Sequence, residues 1–123
     1  MVVGRAGGDP RLRGRILKDQ AVLLPETLRV MAETYPHEVA YSVVDGGAMT
    51  FADWDGQANR LARGLVAAGI APDDRVAVHL GPANALRWLV AYAAVHRAGA
   101  VAVPLNARLG PAEVERMLAH CGA

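Results

Sequence analysis

Residues 71–109 read APDDRVAVHLGPANALRWLVAYAAVHRAGAVAVPLNARL, and their hydrophobic pattern decides the fold. Val76 to Leu80 is a near-continuous apolar run, the pattern of a strand covered on both faces in a parallel sheet. Leu86, Leu89, Val90, Ala93 and Ala94 then recur at helical spacing, in a helix that is apolar nearly all round. Gly99 ends that helix, and Ala100 to Pro104 returns as a second strand. Strand, helix and strand in this order make a β-α-β crossover, expected to be right-handed with parallel strands.

Upstream, LPETLRVMAETYP (24–36) places Leu24, Leu28, Met31 and Tyr35 on one helical stripe, with Pro25 in the first turn and Pro36 past the end. Val39 to Val44, then Asp45-Gly46-Gly47, then AMTF (48–51) read as a hairpin, with positive-φ positions expected in the turn. Thr50 is a helix N-cap with an acid three positions on, Asp53, one methylene shorter than the glutamate of a full capping box. Behind it Trp54, Ala58, Leu61, Leu65 and Ala68 form the expected core stripe, with Gln57, Asn59, Arg60 and Arg63 on the solvated side. Gly69 and Ile70 supply a left-handed cap and its hydrophobic contact. Downstream of the crossover, a last helix starts near Pro111 and carries Val114, Met117, Leu118 and Cys121 on its apolar side.

At 123 residues, 53% hydrophobic and 20% charged, the chain has the composition of one soluble domain, and no apolar run approaches the ~20 residues that span a bilayer. Residues 1–20 carry five basic and two acidic side chains, for +3, so the rest carries −2 against a total of +1. The folded part is therefore mildly acidic, which argues against a nucleic-acid footprint. Residues 1–23 read as a flexible basic leader, punctuated by glycine and proline and lacking the apolar core of a secretory signal. Cys121 is the only cysteine; no internal disulfide is possible, and a reducing, cytoplasmic setting is expected.

Two strands and one crossover do not complete a parallel sheet, and apolar strands with bare edges invite association. The last helix calls for another strand. The expected fold class is accordingly α/β, an incomplete N-terminal part of a larger domain built from a hairpin and a parallel β-α-β unit.

Chemistry-bearing motifs are sparse. Neither G-x-x-x-x-G-K-[ST] nor a post-strand G-x-G-x-x-G occurs. His37 falls in a turn, His79 in a strand, His96 near a helix end and His120 near the terminus, without metal-ligand spacing. Cys121 reads as a small buried hydrophobe, and Trp54 and Trp88 as core packing. No catalytic or metal-binding residue is assigned.

The stretches MTFADWDGQANRLARGLVAAGIAPDDRVAVHL (49–80) and VAYAAVHRAGAVAVPLNARLGPAEVERMLAHCGA (90–123) resemble the N-terminal portion of the AMP-forming adenylating enzymes. That superfamily comprises acyl-CoA synthetases, peptide-synthetase adenylation domains and luciferases. Its T-[YF]-x-[ED]-[LW] motif matches Thr50-Phe51-Ala52-Asp53-Trp54, and a second core motif matches GAVAVPLN, Gly99 to Asn106. The likeness runs over residues 24–123 and implies the N-terminal fragment of an adenylate-forming domain. PLNARLGPAEV (104–114) is similar to acyl-CoA synthetases more than to amino-acid-activating domains, which more often read PLDPxYP there.

The resemblance implies an enzyme that uses MgATP to activate a carboxylic acid as an acyl-adenylate and then transfers the acyl group to CoA. The family's phosphate loop, acyl pocket, ribose-binding aspartate and catalytic lysine have no counterpart in these residues. ATP, Mg²⁺ and CoA thus belong to the full-length family, none is expected to bind the fragment tightly, and the fragment alone is expected to be inactive. The arginine of the N-x-R-L turn matches Arg108, which the resemblance makes a candidate for the CoA phosphate; the alternative is a salt bridge or cap near the helix at Pro111. The remainder of the domain is the expected structural partner. A second reading is a non-catalytic α/β scaffold binding a protein through its open sheet edge.

Overall fold

The computed structural model describes residues 23–123. Two compact units divide the chain within one helix, the first ending at Gln57 and the second running from Ala58 to Ala123. The leader expected over residues 1–23 lies, but for Leu23, outside the described residues.

The first unit opens with helix α1, Leu24–Thr34. No side chain caps its start, but proline occupies the first turn and Glu26 places an acid there. Leu28 is buried as expected, and so is Val30, which lies off the anticipated stripe. On the exposed face Arg29 is held between Glu26 and Glu33. Hydrogen bonds first to Glu26 and then to Glu33 push its pKa further above the ordinary guanidinium value.

Strands β1 (Val39–Ser42) and β2 (Ala48–Thr50) pair antiparallel, with a bulge between Val39 and Tyr41. The first strand is shorter than the sequence suggests. It stops because Val43 N–H bonds Gly47 O at 2.9 Å and Gly46 N–H bonds Val43 O at 2.9 Å. The positive φ of this turn falls on Asp45, at 56°, rather than on either glycine; aspartate tolerates that region unusually well. Gly46 is required for space instead, since a Cβ there would meet Val43 Cβ at 2.9 Å.

Helix α2, Phe51–Ala67, starts straight out of β2. Its first amides are satisfied in sequence: Phe51 N–H by Glu38 O at 3.1 Å and Ala52 N–H by Pro36 O at 3.1 Å, then Asp53 N–H by Thr50 Oγ1 at 3.1 Å. The Asp53 carboxylate reaches back to Thr50 N–H at 3.4 Å, the long return bond expected of a short acid, and accepts from the Thr50 hydroxyl at 2.7 Å. Trp54 is buried and meets Tyr41 edge to face at 5.1 Å.

Along α2 the buried stripe is Trp54, Ala58 and Ala62, with Leu65 half-buried. Leu61, expected in the core, is 39% exposed, and Ala68 is exposed. The i, i+4 row turns inward, and Leu61 lies at its margin. Gly69 (φ 98°) closes the helix: Gly69 N–H bonds Val66 O at 3.0 Å and Ile70 N–H bonds Leu65 O at 3.1 Å, the two bonds of a Schellman motif.

In the second unit, strand β3 (Arg75–Val78) pairs parallel with β4 (Val101–Pro104), Arg75 opposite Val101 and Val78 opposite Pro104. Helix α3, Ala85–Arg97, crosses between them after a 3₁₀ turn at Pro82–Asn84. Gly99 (φ 79°) repeats the Schellman pattern, with Gly99 N–H on His96 O at 3.1 Å and Ala100 N–H on Val95 O at 3.1 Å. The core gathers Val78, Val95 and Ala100, with Leu65, Ile70, Val76, Trp88, Ala91 and Ala102 packed on it. His79 lies past the end of β3, exposed, rather than within the strand.

Helix α4, Pro111–Cys121, follows Gly110, whose N–H bonds the Glu113 carboxylate at 2.9 Å. None of its residues is buried. Val114, Leu118 and Cys121 are half-buried and Met117 is exposed. The expectation of strands covered on both faces is thus met on the α3 side alone. No helix among the described residues is long and apolar enough to cross a membrane.

Candidate functional site

Open α/β sheets hold ligands outside the carboxyl ends of their parallel strands. Two segments of this chain leave that end, His79–Gly81 after β3 and Leu105–Leu109 after β4. The second is shaped by Asn106. Its Oδ1 accepts Arg108 N–H at 3.0 Å and its carbonyl accepts Leu109 N–H at 3.1 Å, an Asx turn nested in a backbone turn. Leu105 is buried and anchors the segment, its N–H bonding Val78 O at 3.0 Å. Arg108 is left exposed at the tip. It does not cap α4, a role taken by Glu113 on Gly110, and no carboxylate among the described residues pairs with it. The turn therefore presents a guanidinium to solvent on a backbone fixed by a buried leucine and an asparagine.

A second cationic feature was not legible in the sequence. Asn59, Ala62, Arg63, Val66, Ala67, Arg97 and Ala98 line a groove of about 360 Å³ between the carboxyl ends of α2 and α3. Three alanines and a valine make its lining largely apolar, beside Asn59 and the two arginines. Because α3 runs antiparallel to its strands, this groove lies at the end of the crossover opposite Arg108. The structure does not bring the three arginines together. Arg63 and Arg97 are separated by 34 positions and sit on different helices, so no local spacing marks them as neighbours.

The aromatic residues explain themselves as packing. Trp88 stacks on Tyr92 at 5.0 Å, and Tyr92 meets His96 edge to face at 4.7 Å, one turn apart along α3. Cys121, half-buried, lies 3.6 Å from Leu118 O. Among the described residues no group of three or more His, Cys, Asp or Glu side chains is arranged to hold a metal ion.

The sequence model of the AMP-binding enzymes matches residues 28–123. The chain belongs to that family. A feruloyl-CoA synthase of Amycolatopsis sp is 48% identical over 93 residues, which is 75% of this chain and 18% of that protein. The inhibitor-bound N-terminal domain of FACL13 from Mycobacterium tuberculosis superposes with a TM-score of 0.70 at 37% identity, over 78% of this chain and 24% of that one. A benzoate CoA ligase from Burkholderia xenovorans LB400 gives 0.70 at 30% identity, over 80% and 20%. The N-terminal subdomain of NpsA from Klebsiella oxytoca shares the fold, with a TM-score of 0.74 at 23% identity. The AMP-binding chain thus has the α/β fold of adenylate-forming N-terminal subdomains and spans about a fifth of the length of the feruloyl-CoA synthase it matches.

Proposed function

We propose that residues 24–123 are the N-terminal segment of an AMP-forming acid-CoA ligase and that residues 1–23 are a basic leader outside it. Such an enzyme joins a carboxylate to the α-phosphorus of MgATP, releasing pyrophosphate. The CoA thiol then displaces AMP from the acyl-adenylate, giving the thioester. The 48% identity with feruloyl-CoA synthase carries this reading and makes hydroxycinnamates the first acids to test. A reducing, cytoplasmic setting fits the single cysteine.

The 123-residue chain by itself catalyses no adenylation. In-line transfer at phosphorus depends on positioning and charge stabilisation, and this sequence has no glycine cradle with a lysine to provide them. Arg108 is the proposed contact for the CoA phosphate, supported by its exposed place on a rigid turn at the carboxyl end of the strand pair. The Arg63/Arg97 groove is the competing site, supported by two arginines on one largely apolar lining.

The test is a chimaera in which residues 28–123 replace the matching segment of the Amycolatopsis feruloyl-CoA synthase. Ferulate-dependent exchange of labelled pyrophosphate into ATP is expected from the chimaera and not from the isolated chain. A folded chimaera without exchange refutes the reading. In the active chimaera, Arg108→Ala should raise KM for CoA by the equivalent of about 1.5 to 3 kcal/mol and change dephospho-CoA far less. The same signature from Arg97→Ala alone would move the phosphate to the groove.

A further inference from the structure

The groove between the carboxyl ends of α2 and α3 follows one face of α2. Asn59, Ala62, Arg63, Val66 and Ala67 stand at i, i+3, i+4, i+7 and i+8, and Arg97 and Ala98 close the groove from the end of α3. The α2 side therefore runs a little over two turns, about 12 Å. Ala62 is buried, Asn59, Arg97 and Ala98 are half-buried, and Val66 is 55% exposed. Among the described residues no acid lines the groove.

The two arginines stand there for different reasons. Arg97 is in the last turn of α3, where a cation answers the negative end of the helix dipole. Arg63 lies ahead of the last turn of α2, which holds no basic residue, and its guanidinium has no ion pair or side-chain hydrogen bond among the described residues. Its charge is uncommitted within the fold. The carbonyls that would repel an anion at two helix ends are already occupied. Gly64, Leu65 and Val66 accept the amides of Ala68, Ile70 and Gly69, and Ala94, Val95 and His96 accept those of Ala98, Ala100 and Gly99. The groove is left with a positive balance of charge.

Shape and charge together define a ligand. A volume of about 360 Å³ falls at the small end of small-molecule sites, which are mostly apolar with a few polar groups that fix orientation. Inorganic phosphate would match the arginines and leave Ala62, Val66, Ala67 and Ala98 uncovered. A neutral hydrocarbon would cover those side chains and give the guanidiniums nothing to bind. A carboxylate on a ring or short chain answers both needs. A guanidinium takes a carboxylate through two parallel hydrogen bonds, and the apolar body gains by leaving water.

We propose that this groove is a binding site for a small apolar monocarboxylate, an aryl or short-chain acid no longer than about 12 Å. Arg63 and Arg97 hold the carboxylate, and Val66, Ala67 and Ala98 carry the apolar body. The site lies at the end of the crossover away from Arg108, and so is separate from the turn assigned to the CoA phosphate. It is built from this chain's own residues and stands independently of the ligase reading. In an acid-CoA ligase it gives an acid a place to bind apart from the chemistry.

The test titrates trans-cinnamate into the isotope-labelled 123-residue chain and follows the Arg63 and Arg97 side-chain N–H signals and the Val66 and alanine methyls by NMR. Both sets should shift and saturate together, with a Kd below about 1 mM. Cinnamyl alcohol, which lacks the charge, and inorganic phosphate, which lacks the apolar body, should each bind at least about tenfold more weakly. Arg63→Ala and Arg97→Ala should each weaken cinnamate by about fivefold or more. Arg60→Ala, on the same helix but outside the groove, should not. Val66→Glu should abolish binding, because it sets a carboxylate three positions from Arg63. Equal binding of the alcohol or of phosphate, an equal loss from Arg60→Ala, or shifts that never saturate overturns the proposal. If the isolated chain aggregates, calorimetry moves to the chimaera, where Arg63→Ala with Arg97→Ala should remove one bound equivalent of cinnamate; an unchanged count overturns the proposal. A folded chimaera that binds that equivalent but shows no exchange upholds the groove and removes the ligase reading.

Discussion

Val95 is 2% exposed, in the core of the second unit, while Leu61, the bulkier residue, is 39% exposed. Sequence pattern alone ranks Leu61 as the costlier truncation. The structure reverses that order. Val95→Ala removes two carbons worth about 0.8 kcal/mol each and leaves a void on the order of 40 Å³, which adds about 1 kcal/mol. The expected loss is about 2.5 kcal/mol, a shift in Tm of roughly 10 to 20 °C for a unit of this size. Leu61→Ala removes three carbons, but the site is open, so no void forms and the transfer part is discounted to about 1 kcal/mol. Urea unfolding followed by Trp88 fluorescence in a Trp54→Phe background reads the second unit directly, because Trp88 packs on the Val78–Val95–Ala100 core. A loss for Leu61→Ala equal to or above that for Val95→Ala, or a Val95→Ala melt matching the parent, would refute the packing argument.

Thr50→Ala deletes the hydroxyl that accepts Asp53 N–H and should cost about 1 kcal/mol in a far-UV circular dichroism melt, with Thr50→Ser restoring most of it. Gly99→Ala should cost about 1 to 2 kcal/mol from its φ of 79° alone, since the nearest atom to a new Cβ, on Pro72, is 3.7 Å away. Gly64→Ala, inside α2 with nothing within 4 Å of a new Cβ, should instead stabilise by up to about 1 kcal/mol. Gly46→Ala should lower the melt of the hairpin unit, because its Cβ meets Val43 at 2.9 Å; an unchanged melt would show that the turn yields.

What could be read in advance was local. The Thr50 cap, the Gly69 and Gly99 helix ends and the β-α-β crossover follow from hydrogen-bond needs and periodicities that act within a few residues, and the chain states them openly. The family was legible for the same reason: Thr50 to Trp54 and Gly99 to Asn106 are contiguous structural motifs. The Asx turn at Asn106, local as it is, was not read in advance; it leaves Arg108 exposed. Other matters were decided only in three dimensions. Periodicity specifies which residues share a helix face but not which edge of that face meets a neighbour, so Leu61 gave way to Ala62. Within the Asp45-Gly46-Gly47 turn, only the folded chain decides that the positive φ falls on Asp45. Arg63 and Arg97 line one groove because two helices end side by side. These outcomes depend on which distant segments meet, and no window of sequence carries that information.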